Sequence, residues 1–218
     1  MGLKERQERE REAVARGILD AARDLFVAEG YQNVSIRKIA ERIEYSPAAI
    51  YGYFSSKDDI FFALAEEGFR LLAASGSGVP HAPNAIDGVR RSFWNLYTFS
   101  RSHPEYFALM FLDRSVPRIS RDWERFGFVR EMKERVASRI QRAIDEGGFP
   151  PGTQPDAVFG VLMAAVHGAA VMCLCDRMTR GEDPDALARD TLEAALVGLR
   201  AGSPLTYRPE SCEGSSSQ

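Results

Sequence analysis

The chain has 218 residues, 44% of them apolar and 27% charged, with a net charge of −3. That length buries one sizeable core or two small ones, and the composition is that of an ordinary globular protein. The charge excludes a chain held to nucleic acid by bulk positive charge, and no run reaches the ~18 uninterrupted apolar residues that mark a membrane span.

The first twelve residues, MGLKERQERERE, alternate in charge sign with no apolar stretch behind them. They read as a flexible arm over 1–11, without a secretory signal. Ile18, Ala21, Ala22, Leu25 and Phe26 then repeat at helical spacing, and Gly30 ends the stripe. Ser35 is placed to cap a second helix with Ile36, Ile39, Ala40 and Ile43 on its apolar side. Ser46 followed by Pro47 starts a third helix only two residues further on. Ser56 with Asp59 is a capping pair for a fourth, which carries Ile60, Phe61, Leu64, Leu71 and Leu72.

Beyond the loop ASGSGVPHAPN (74–84) the same period predicts helices over 85–102, from Pro104, over 120–146, over 156–177 and from Pro184 to about 201. Residues 156–177 are apolar nearly all round, which predicts burial on more than one side. The Ser-rich tail after Pro204 reads as disordered. The fold class is therefore all-α, with about nine helices. Cys173, Cys175 and Cys212 have neither metal spacing nor a disulfide framework, so a reduced cytoplasm is the natural compartment. Three histidines in all (His81, His103, His167) argue against a metal site or cofactor.

Two short helices joined by a tight turn, the second opened by a proline-stiffened cap, form a helix-turn-helix pattern over about 34–53. In SPAAIYGYFSSKDDI (46–60), Ile50 and Phe54 turn inward while Pro47, Ala48 and Tyr51 share another face. An alanine methyl can touch a thymine methyl, and Tyr51 and Tyr53 hydroxyls can reach phosphate oxygens. Lys57 adds a cation at a helix start where free N–H groups already favour phosphate. Residues 1–57 hold ten basic and nine acidic side chains, so contact with DNA has to come from placement.

The run ILDAARDLFVAEGYQNVSIRKIAERIEYSPAAIYGYFSSKDDIFFALAEEGF (18–69) resembles the TetR family of bacterial transcriptional regulators. Ala21, Phe26, Gly30, Tyr31, Ser35, Ile36, Ile39, Ala40, Ile50, Tyr51, Phe54, Lys57 and Leu64 carry the likeness, which spans about 12–70. One departure is Glu44, where the turn usually has glycine. A glutamate there is expected to take an uncomfortable backbone conformation and to bring negative charge near DNA.

The resemblance implies a DNA-binding domain over 12–71 and an effector-binding and dimerisation domain over 72–202, followed by a tail over 203–218. It implies a double-stranded DNA operator, a small-molecule effector and a homodimer as partners, with no membrane and no catalysis. By position the DNA contacts would be Ser35, Arg37, Tyr45, Ser46, Pro47, Ala48, Tyr51, Tyr53 and Lys57. Candidates for an effector pocket are Phe93, Tyr97, Phe107, Met110, Phe111, Trp123, Met163, His167 and Met172, a set suited to a largely apolar ligand. HPEYFALMF (103–111) and the VHG segment at His167 are similar to one C-terminal subgroup of the family, although the tryptophan that often precedes the histidine is missing. Gly160, Ala164 and Gly168, with Leu192 and Leu196, are the candidates for a dimer interface of four packed helices. A helical effector-binding or protein-interaction protein with weak or lost DNA recognition is the alternative. An enzyme has no support from paired carboxylates, a Ser/His/Asp arrangement or a glycine-rich phosphate loop.

Overall fold

The structure, a computed structural model, describes residues 2–76, 82–112, 127–179 and 181–207. Among these residues there are nine α-helices and no strand. They divide into two compact units, the described residues among 2–71 with 103–129 and those among 72–102 with 130–207.

In the first unit, α1 (Leu3–Glu29) turns Ile18, Ala22 and Phe26 inward and ends at Gly30, whose φ of 79° few other residues tolerate. Its first turns are helical, not the flexible arm read from the sequence. The alternating charges fall four apart, so Arg6 pairs with Glu10 at 2.9 Å, and the Gly2 N–H is held by Glu5 at 3.0 Å. Such pairs stabilise an exposed helix that buries almost nothing. A single 3-10 turn (Tyr31–Asn33) follows, and the Tyr31 ring packs 5.3 Å from Phe26 and 5.2 Å from Phe61. Helices α2 (Ile36–Arg42) and α3 (Pro47–Tyr51) are short and locally capped. Ser35 Oγ accepts from Lys38 N and Ser46 Oγ from Ala49 N, each at 3.2 Å. Ile39, Ala40 and Ile50 are fully buried beneath them.

Helix α4 (Lys57–Ser75) starts at Ser56, whose Oγ accepts from Asp59 N at 3.1 Å. Its Phe69 lies 5.7 Å from Phe111 on α6 (Pro104–Phe111). A Cβ added at Gly68 would stand 2.5 Å from Met110 Sδ, so that glycine lets α6 approach closely. Helix α6 thus belongs with the N-terminal helices, which a single division at 71/72 separates from it. Sequence reasoning sees helix ends but not which helices pack together, hence the difference.

The second unit holds α5 (Ala85–Ser102), α7 (Gly127–Asp145, from Arg130 onward), α8 (Pro155–Leu174) and α9 (Pro184–Arg200). Helices α8 and α9 pack along each other, with Val158, Leu162 and Val166 of one and Ala188, Leu192 and Leu199 of the other buried. Phe93 on α5 lies 5.8 Å from Phe159 on α8, and the Tyr97 hydroxyl donates to Asp185 on α9 at 2.7 Å. Helix α8 stops three residues short of the expected 177. Asp176 takes a φ of 51° and the Arg177 N–H returns to the Met172 carbonyl at 2.9 Å, which closes the helix end. Among the described residues α8 is the one helix long and apolar enough, by length and composition only, to cross a membrane, and 33% of its most apolar stretch is buried within the chain. Ala164, Gly168 and Met172 remain exposed along one side of it.

Candidate nucleic-acid interface

The local chemistry of α2 and α3 decides which side chains face outward. Ile39 and Ile50 hold the two helices down, and the seven-residue and five-residue lengths leave few other inward positions. Ser46, Pro47 and Ala48 are exposed on the first turn of α3, and Tyr45 and Tyr51 protrude at 45% and 56% exposure. Tyr53 is half-buried just past the helix end. Ser35 is exposed at the start of α2, beside Arg37, which pairs with Glu41 at 2.8 Å. Seven of the nine residues expected at DNA are therefore exposed around these two helices and the turn between them, and Tyr53 and Lys57 are half-buried.

Lys57 is placed differently from the expectation. Its half-buried Nζ donates to the carbonyl oxygens of Tyr31 at 2.8 Å and Val34 at 2.9 Å, and lies 3.9 Å from the Tyr31 ring centroid. The 3-10 turn ends in carbonyls that need donors, and an ammonium group has three to give. In this structure Lys57 ties α4 to the approach to α2.

Glu44 has φ 60°, as its position in the turn predicted, and its side chain is exposed. A β-carbon in left-handed backbone costs roughly 1–2 kcal/mol. Sequence reasoning missed Arg11, which reaches from α1 to the Gly52 carbonyl at 3.3 Å and lies 5.4 Å from the Tyr53 ring centroid. The signal that could have found it is the spacing of charges in residues 4–12, which is that of a helix.

The expected effector set does not come together in one unit. Phe107, Met110 and Phe111 belong to the first unit, while Phe93, Tyr97, Met163, His167 and Met172 belong to the second. Trp123 lies outside the described residues. Phe93, Tyr97, Phe107 and Met110 are buried in close packing. Burial and the hydrogen bond to Asp185 push the Tyr97 phenol above its ordinary range. His167 is half-buried with Nδ1 3.1 Å from the Met163 carbonyl, and burial holds its imidazolium form below the usual pKa. A cavity of about 350 Å³ in the second unit is walled by Ile86, Asp87, Arg90, Glu146 and Arg200, with none of the expected aromatics.

The candidates for subunit contact divide as well. Ala164 and Gly168 are exposed, as an interface needs. Leu192 and Leu196 are only 2% and 1% exposed and serve the chain's own core, while Val197, on the opposite side of α9, is 61% exposed. Gly160 already lies under the chain's own C-terminal segment, because an added Cβ would stand 2.6 Å from the Tyr207 ring. Apolar residues at helical spacing fit either a core or an interface, and only packing separates the two.

Residues 18–64 match the family described as bacterial regulatory proteins, tetR family, and residues 91–195 match a tetracyclin repressor-like C-terminal domain. The HTH-type transcriptional regulator YdeS of Bacillus subtilis is 31% identical over 194 residues, covering 88% of this chain and 92% of the relative. The HTH-type transcriptional repressor Rv1474c of Mycobacterium tuberculosis is 29% identical over 177 residues, covering 79% and 86%. Among solved structures, the regulator PfmR of Thermus thermophilus shares the fold with a TM-score of 0.65 at 20% identity, over 84% of this chain and 98% of that one. Exposed small and phenolic groups on a capped short helix, a second short helix before it and these similarities agree: the chain is a DNA-binding transcriptional regulator, not an enzyme, and belongs to the TetR family.

Proposed function

We propose that the chain represses transcription by binding a palindromic operator as a homodimer, and that a small, largely apolar effector bound in the unit of α5 and α7–α9 releases it. The observation that carries the reading is the outward face of α3, where Pro47, Ala48 and Tyr51 stand exposed over a fully buried Ile50. Ala48 would lie against base edges, and Tyr45, Tyr51 and Tyr53 would take phosphate oxygens. Ser35, Arg37, Ser46 and Pro47 would complete the contact set on the nearest backbone. The uncovered side of α8 (Ala164, Gly168, Met172) supports a two-fold contact in which the same patch serves both subunits. Such a dimer would present its two α3 helices to successive major grooves, about 34–36 Å apart.

Release requires that the effector bind one arrangement of the dimer better than the other. The aromatic and sulfur side chains around α5 and α8, together with His167 as a hydrogen-bonding group, suit a ligand with an apolar body and few polar atoms. This chemistry happens where the DNA is, in the cytoplasm. A second reading, a regulator whose DNA recognition is weakened, is favoured by Glu44, which brings strain and negative charge to the turn before α3.

Selection of duplexes from a randomised pool, followed by sedimentation of the complex, tests the reading. The expected winners are inverted repeats carrying two copies of the chain. Enrichment of nothing overturns DNA recognition, and a single copy on a single half-site overturns the dimer.

A further inference from the structure

Helix α3 has five residues, too few to hold its direction by its own hydrogen bonds. Its start is fixed by the Ser46 cap and Pro47, and its middle by Ile50, which is fully buried. Its far end is closed by backbone bonds alone, from Gly52 N to Ala49 O at 3.1 Å and from Tyr53 N and Phe54 N to Ile50 O at 2.9 and 3.0 Å. The Gly52 carbonyl points out of this turn, and Tyr53 is only half-buried. Both are met by the same side chain. Arg11 donates through Nη2 to the Gly52 carbonyl at 3.3 Å across 41 residues of sequence, and its guanidinium stands 5.4 Å from the Tyr53 ring centroid.

The other arginines in this part of α1 stay with their own helix. Arg6 pairs with Glu10, and Arg9 Nε donates to the Glu5 carbonyl at 3.3 Å. Arg11 reaches out of it. A planar guanidinium can hydrogen-bond in its plane while its face lies on a ring, which an ammonium group does not do. A cation is also favourable at the carbonyl end of a helix.

We infer that Arg11 is a positioning residue for the recognition helix, fixing the end of α3 and the aim of Tyr53 through the Gly52 carbonyl. The inference rests on the reading of α3 as the DNA-contacting helix. It gives the first turns of α1, which bury almost nothing, a task in operator binding.

The probe is the duplex that the unmutated full-length chain enriches from a randomised pool, and the readout is affinity by fluorescence anisotropy across a salt series. Arg11→Ala is expected to lower affinity about three- to tenfold, with the slope of log affinity against log salt unchanged, because no cation leaves a phosphate. Arg11→Lys, which keeps the charge, should recover less than half of the loss. Tyr53→Leu should weaken binding by a similar factor, and Tyr53→Leu combined with Arg11→Ala should add little, because both remove one arrangement. Arg11→Gln repeats the test with a residue that suits an exposed helix, should the alanine variant misfold. Unchanged affinity, additive losses or full rescue by lysine would overturn the inference. So would a slope reduced by about one, which marks a direct phosphate contact. If the unmutated chain enriches no duplex, the reading of α3 itself fails, and that result appears before any substitution is made.

Discussion

Helices α3 and α8 make opposite demands on sequence reasoning. Helix α3 has five residues, one of them fully buried, and almost everything it does follows from neighbours within a turn: a serine cap, a proline, two alanines and a tyrosine. Helix α8 has twenty residues, apolar nearly throughout, and what each of them does depends on which surface covers it. In a short, exposed helix, local chemistry determines direction. In a long apolar helix it leaves core, ligand wall and subunit contact indistinguishable, and packing alone divides them.

The largest effects come from breaking the α8 side of that comparison in two ways. Leu192→Ala removes a side chain from the seam between α8 and α9 and should cost about 2–5 kcal/mol of folding stability. Ala164→Glu should leave the fold of the single subunit nearly unperturbed, because its side chain is exposed there, so any fall in melting temperature should be only the part that dimer formation contributes. On the proposed dimer, however, it buries two like charges across the two-fold axis and should convert the assembly to monomer, with operator affinity falling at least a hundredfold. Thermal melts and sedimentation distinguish the two variants. Equal loss of stability in both would erase the division between core and contact face.

Much of the first unit was legible in the sequence because its punctuation is local. Gly30, Ser35, Ser46 and Ser56 each stop or start a helix through bonds to atoms within four residues, and the structure places all four where the spacing put them. The position of α6 was not legible, because contacts such as Phe69 to Phe111 join residues 42 apart with no periodic signature. Leu192 and Leu196 were misplaced for the same reason, since their spacing fits either side of a helix pair. Lys57 shows the limit even within the legible region. A lysine at a helix start can face a phosphate or a carbonyl, and the carbonyls of Tyr31 and Val34 lie on the far side of a turn, 26 and 23 residues away.

Lys57 and Tyr51 give a middle-sized test of that point. Lys57→Met takes the ammonium donor from the Val34 carbonyl and from the Tyr31 carbonyl, which keeps the Val34 N–H at 3.3 Å, and should lower stability by about 1–3 kcal/mol. Tyr51→Ala, more than half exposed, should leave stability alone and weaken operator binding about tenfold, the worth of one hydrogen bond to a charged phosphate. A chemical melt and an anisotropy titration on each variant separate the two roles. If Lys57→Met melts like the parent and loses only affinity, the lysine is a DNA contact after all and its carbonyl bonds are incidental.

The smallest effect comes from Glu44, where local chemistry and function pull apart. Its φ of 60° strains any residue with a β-carbon, and its exposed carboxylate stands one residue before Tyr45, on the side that faces phosphate in the proposed complex. Glu44→Gly removes both strain and charge. It should raise stability by up to about 1 kcal/mol, the gain being limited because glycine also frees the unfolded chain. It should also tighten operator binding severalfold at low salt. Glu44→Gln separates the two contributions, keeping the β-carbon while losing the charge, so its stability should match the parent while its affinity rises like that of the glycine variant. Both gains in affinity should shrink as salt is raised, because an exposed charge acts on phosphates only within about one Debye length, ~8 Å at physiological ionic strength. If glycine tightens binding and glutamine does not, the backbone conformation is what the turn contributes to recognition, and the carboxylate is a bystander.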